Sequence, residues 1–82
     1  MTDTGPRVVV VARSGCHLCE AAAAAVAAVC DPIGVPWATR DLADVSPADQ
    51  ARWTELIPVV LVDGQVHEVL RVDPERLRRV LT

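Results

Sequence analysis

The sequence predicts an α/β domain in which a mixed four-stranded sheet is flanked by helices, in the order β-α-β-α-β-β-α. Three observations carry that reading. A β-branched run, Val8-Val9-Val10-Val11-Ala12, precedes an alanine-rich stretch from Cys16 to Cys30 that holds neither Gly nor Pro. Asp63-Gly64 separates two apolar runs and is a hairpin signal. Ser46-Pro47 and Asp73-Pro74 each set a capping side chain before a proline, the pattern that opens a helix. The β-α-β start implies a parallel pair joined by a right-handed crossover, and the hairpin implies an antiparallel pair at the other end. Eighty-two residues bound the answer to one domain, read as residues 7–82 after a loose polar tail at 1–6.

Each element follows from local chemistry. The unbroken valine run suits a strand covered on both faces, and Arg13-Ser14-Gly15 breaks it. In the following helix Leu18, Ala22, Ala25, Val26 and Val29 fall at i, i+4, i+7, i+8 and i+11, one apolar stripe, and Asp31-Pro32-Ile33-Gly34 is expected to stop it. Val35 to Arg40 reads as a second strand with Val35, Trp37 and Thr39 on one face; Pro36 near its start favours a sheet edge. Ser46 caps a helix expected to end near Leu56. Ile57-Pro58 then leads into the strand Val59 to Val62, the Asp63-Gly64 turn and the strand Val66 to Leu70. A short helix after Asp73 places Leu77, Val80 and Leu81 at i, i+3 and i+4.

Composition excludes several functions. The hydrophobic share is 51%, yet the chain has no Phe or Tyr and only two Trp, so its core must be aliphatic. Eight basic residues, all Arg, against eleven acidic ones give a net charge of −3, a poor basis for binding nucleic acid. No apolar run approaches the roughly 20 residues of a membrane span, and Arg7 leads only into a five-residue apolar run, unlike a signal segment. The expected address is the cytoplasm. An odd number of cysteines, three, argues against a secreted disulfide scaffold.

Two of the three form a C-x-x-C. Cys16 follows a Ser-Gly break at the start of a helix, where unpaired backbone N–H groups and roughly half a positive charge stabilise a thiolate. Its pKa is expected below the free value of about 8.5. Cys19, one turn on, lies within disulfide range and can resolve a mixed disulfide formed at Cys16. The competing reading is half a zinc site. It would need further ligands, and Cys30, His17 and His67 offer no second pair at zinc spacing. Cys30 stands about 16 Å along the helix from Cys19, too far to share a metal or a disulfide. It reads as a small buried hydrophobe, with a second redox role as the alternative.

His17 is either a local donor favouring the Cys16 thiolate or a solvated side chain. Arg13 either attracts a thiolate or anionic substrate or is a plain surface charge. His67 reads as an ordinary exposed strand residue. The proline at Ile57-Pro58 is either a strand-start device or a cis peptide, a choice the sequence leaves open. Arg71, Arg76, Arg78 and Arg79 near the end read as a solvated helix face, or alternatively as a site for an acidic partner.

Together, Arg13-Ser-Gly-Cys16-His17-Leu18-Cys19 after a buried strand and Ile57-Pro58-Val-Val before a hairpin resemble the thioredoxin fold, and more narrowly glutaredoxins and their small bacterial glutaredoxin-like relatives. The resemblance spans nearly the whole chain. It implies a thiol–disulfide oxidoreductase with Cys16 as nucleophile and Cys19 as resolving thiol. Pro58 would be a cis-proline facing them, and the Ile57 backbone would pair with a bound peptide or glutathione. Arg13 and His17 join Ile57 and Pro58 as expected substrate contacts. Two departures stand out. His17-Leu18 replaces the usual Pro-Tyr, and Glu68-Val69-Leu70-Arg71-Val72-Asp73 lacks the glycine pair that helps bind glutathione. Asp73 retains part of that role or is a helix cap. The expected partners are a disulfide-containing protein or a small thiol, with glutathione as a co-substrate, no bound cofactor or metal, and a monomeric state. The alternatives are a non-catalytic binding module, a redox sensor, or a carrier of an iron–sulfur cluster or metal ion.

Overall fold

The valine run at the start of the chain becomes the strand β1 (Val8–Ala12), and its neighbours explain its composition. In the computed structural model, which describes residues 5–82, β1 lies inside the sheet between β2 (Trp37–Asp41) and β3 (Val59–Val62), with β4 (Gln65–Val69) beyond β3. β1 runs parallel to β2, from Val8 opposite Trp37 to Ala12 opposite Asp41. It runs antiparallel to β3, which pairs antiparallel with β4. The rest of the expected tail, residues 1–4, lies outside the described residues.

Helices cover both faces. Val8 and Val10 face one core with Ala22, Val26 and Val29 of α1 (His17–Ile33), Val60 of β3 and Leu77 of α3 (Pro74–Leu81). Val11 and Val59 face a second core on the other side of the sheet, closed by Leu42 of a 3₁₀ turn (Leu42–Asp44), by Trp53 of α2 (Pro47–Trp53), and by Cys19 and Ile57. Val8, Val10, Val11, Val59 and Val60 are fully buried. Trp37 and Trp53, partly buried, pack against the margins of these two cores.

The helix caps match their residues. The Ser46 hydroxyl accepts from the Asp49 N–H at 3.2 Å, and the Asp73 carboxylate accepts from Glu75 and Arg76 at 3.0 and 3.4 Å, so Asp73 acts as a cap. Asp63 and Gly64 carry φ of 52° and 83°, the two positive values of a type I′ hairpin turn. Arg7 bridges bidentately to Asp63 at 3.0 Å and holds its carboxyl below the usual range.

α1 stops within Asp31-Pro32-Ile33-Gly34 as expected, with Ile33 as its last residue. Proline sits in its last turn, and Gly34, at φ 70°, supplies the left-handed residue that ends the helix: its N–H donates to Asp31 O, and the Val35 N–H donates to Cys30 O. Several expectations need correction. Leu18 is not on the buried stripe; it is 53% exposed, and the buried residues of α1 begin with Cys19. β2 spans Trp37–Asp41, so Val35 packs from outside it and Thr39 is exposed. α2 ends at Trp53, three residues short of Leu56, with Thr54 to Leu56 in a turn. β4 begins at Gln65 and ends at Val69. Val80 is half exposed, so only Leu77 and Leu81 of its triplet pack inward. His67 is half-buried rather than exposed. It falls where the β3–β4 register shifts, and its Nε2 is buried with no hydrogen-bond partner among the described residues.

Candidate active site

The end of β1 delivers Arg13, Ser14, Gly15 and Cys16 to one edge of the sheet. Gly15 has φ 73°, a backbone that disfavours any side chain, and its turn aims Cys16 at the start of α1. Cys16 is the N-cap residue. Its Sγ accepts the N–H of Cys19 at 3.1 Å, as a serine hydroxyl would at this position. The two cysteines are joined as a disulfide, with Cα atoms 5.1 Å apart. They differ in access. Cys19 is 3% exposed and belongs to the second core, whereas Cys16 is half-buried and lines a surface cleft.

That cleft holds about 230 Å³ and is bounded by Arg13, Ser14, Gly15 and Cys16 on one side and by Thr54, Glu55 and Ile57 on the other. Arg13 ties the two walls together. Its guanidinium donates to the Thr54 carbonyl at 2.6 Å and to the Thr54 hydroxyl at 3.2 Å. Arg13 is thus a strut across the cleft, a role that neither sequence reading of it anticipated. Ile57 precedes a cis peptide bond to Pro58, and Pro58 is buried. No hydrogen bond joins the backbone N–H or C=O of Ile57 to the other described residues, although Ile57 is 8% exposed. Buried main-chain groups are normally paired, so these two are available to a partner in the cleft.

The structure therefore gathers Arg13, Cys16, Cys19, Ile57 and Pro58 at one edge. It does not gather His17 with them. Its imidazole is almost wholly exposed and lies 3.9 Å from Glu20 rather than in the cleft. Cys30 is buried in the first core at the far end of α1, where burial and the nearby Asp31 carboxylate push its thiol up. Thr54 and Glu55 are wall residues that sequence reasoning missed; assigning them to a helix hid them. Their position three and two residues ahead of Ile57-Pro58 was the only usable signal. Among the described residues no cluster of three or more His, Cys, Asp or Glu side chains is placed to hold a metal ion, and no helix is long and apolar enough to cross a membrane.

Comparison with known proteins agrees with this architecture. The family model described as Glutaredoxin-like domain (DUF836) matches residues 7–82. Uncharacterized proteins of Mycobacterium tuberculosis and Mycobacterium bovis are 35% identical over 78 residues, covering 89% of this chain and 79% of theirs. A structural genomics target from X. campestris superposes with a TM-score of 0.70 at 23% identity, over 90% of this chain and 93% of its own. A glutaredoxin from Archaeoglobus fulgidus gives 0.58 at 14% identity, over 95% of this chain and 88% of its own. At such identities the two structures speak for the fold alone, which is thioredoxin-like with a mixed four-stranded sheet and three α-helices.

Proposed function

The chain belongs to the glutaredoxin-like domain family, and from that premise we propose that it is a thiol–disulfide oxidoreductase working through Cys16 and Cys19. One observation carries the reading: of two cysteines within bonding distance, only Cys16 opens onto the cleft, while Cys19 is buried behind it. The Cys16 sulfur sits at the N-terminus of α1 with the Cys19 N–H directed at it, a setting that favours thiolate once the disulfide is reduced.

The reaction then runs in two exchanges. The Cys16 thiolate attacks one sulfur of a substrate disulfide; the other sulfur leaves as a thiolate and takes a proton from solvent. The resulting mixed disulfide at Cys16 is attacked by the Cys19 thiolate, which releases the second substrate thiol and closes the Cys16–Cys19 disulfide. Two electrons pass from protein to substrate, and an external thiol restores the dithiol. Glutathione is a candidate for that donor. The free Ile57 main-chain groups would hold an extended substrate segment as a short added strand, with Pro58 fixing the loop behind it. Arg13 keeps the walls at their spacing. A monomer in a reducing compartment such as the cytoplasm suits a dithiol that must be regenerated.

Single-cysteine variants test the assignment. Incubated with 2-hydroxyethyl disulfide, Cys19→Ser should accumulate a 1:1 mixed disulfide located by mass spectrometry at Cys16, and Cys16→Ser should accumulate none. Sustained dithiol turnover by Cys16→Ser, or no adduct on Cys19→Ser, would overturn it.

A further inference from the structure

Acidic side chains in this protein are nearly all engaged in holding the fold. Among the described ones only Glu55 and Asp44 make neither a side-chain hydrogen bond nor an ion pair. Asp44 does not line the cleft, whereas Glu55 lines it together with Cys16. The backbone on either side of Glu55 is anchored. The Thr54 N–H donates to Gln50 O at 3.0 Å and its carbonyl accepts from Arg13, while the Leu56 N–H donates to Trp53 O at 2.8 Å and its carbonyl accepts from Leu70 at 3.2 Å. An exposed carboxylate is therefore carried at the cleft wall by a fixed segment. Arg13, the other charged residue lining the cleft, bonds the Thr54 carbonyl and hydroxyl and makes no ion pair with Glu55. A carboxylate left without a partner beside the reacting sulfur is open to a cation that arrives with the substrate.

We propose that Glu55 is a specificity residue that favours disulfides carrying an ammonium or guanidinium group beside the sulfur that Cys16 attacks. The inference rests on the thiol–disulfide reading and adds a substrate class to it. The exchange itself is unchanged: the reduced protein gives up two electrons, its disulfide closes, and the substrate disulfide leaves as two thiols. Glu55 takes no part in that transfer. It attracts a cationic substrate and repels an anionic one, an effect of a few-fold for exposed charges that approach closely at low salt. The net charge of −3 acts in the same direction at longer range.

The test measures second-order rate constants for oxidation of the reduced protein at about 10 mM ionic strength, where exposed charges are little screened. The small probes are cystamine, dithiodipropionate and 2-hydroxyethyl disulfide, which are cationic, anionic and neutral. A second series uses homodimeric pentapeptide disulfides with lysine or glutamate beside cysteine. The neutral thiol 2-mercaptoethanol supplies the intrinsic reactivity of every probe. Divided by that reference, the cation-to-anion rate ratio of wild type should be about threefold in at least one series and fall to about one in Glu55→Gln. A ratio shown by cystamine assigns a small aminothiol, and one shown by the peptides alone assigns an extended basic chain. The neutral probe should react equally with wild type and Glu55→Gln. Glu75→Gln removes the same charge from α3, outside the cleft, and should keep the wild-type ratio. A wild-type ratio near one in both series, an unchanged ratio in Glu55→Gln, or an equal fall in Glu75→Gln overturns this inference and leaves the oxidoreductase reading standing. An equal loss of rate with all probes in Glu55→Gln does the same. No reaction of wild type with any probe overturns both.

Discussion

Alkylating the reduced protein should rank its three thiols as Cys16, then Cys19, then Cys30, by wide margins. At Cys16 the helix N-terminus and the Cys19 N–H together favour the thiolate. A more stable thiolate is a weaker nucleophile, which returns part of that gain. Cys19 shares the chemistry but is 3% exposed. Cys30 is fully buried among Val26, Val29 and Leu77, so a reagent reaches it only when α1 lifts from the sheet. Opening a main-core helix approaches global unfolding, and about 4.1 kcal/mol already means a thousandfold. A pulse of iodoacetamide at pH 7 after reduction, with peptide mapping by mass spectrometry, gives all three rates. Cys16 should react about as fast as a free cysteine or faster, and Cys30 at least about a thousandfold more slowly until guanidinium is added. Cys30 labelled within tenfold of Cys16 would refute the burial argument, and Cys19 labelled first would refute the assignment of roles.

Two further outcomes follow from the same packing. Cys30 has its thiol pushed up from 9.0, so the folded state resists its ionisation; the stability this adds is complete below the unfolded value and is lost as pH rises towards the higher folded one. The difference in urea midpoint between wild type and Cys30→Ala should therefore be flat up to about pH 8.5 and shrink above it; a difference that grows there would show the sign to be wrong. Leu77→Ala empties a fully buried site between α3 and the first core and should destabilise by about 3 kcal/mol. For a domain of this size that is a fall of roughly 12–24 °C in thermal midpoint, and a fall of less than about 5 °C would mean that α3 contributes little to the core.

The elements were legible where chemistry is local. Val8 to Ala12 and Val59 to Val62 declare buried strands by β-branching, Ser46-Pro47 and Asp73-Pro74 declare helix starts, and Asp63-Gly64 declares its turn. Errors collect where a distant partner decides. Leu18 fits the helical stripe by spacing, yet it is 53% exposed. His67 looks like a plain alternating strand position, and only the register shift against Val60 and Leu61 turns it inward.

What the amino-acid sequence determined by itself was the inventory: an aliphatic sheet, its helices, a cysteine at a helix start and a second cysteine one turn later. Those properties depend on side-chain shape and on spacing of three or four residues, which any chain segment carries with it. The tertiary structure decided the contrast between the thiols and the shape of the cleft. It buried Cys19 under the second core, brought Thr54 to Arg13 across 41 residues, left the Ile57 backbone unpaired beside Cys16, and held Leu70 in a left-handed turn against Pro58. None of these is encoded within one segment. Each depends on which surfaces meet when the sheet closes, and so each appears only when distant parts of the chain have excluded water between them.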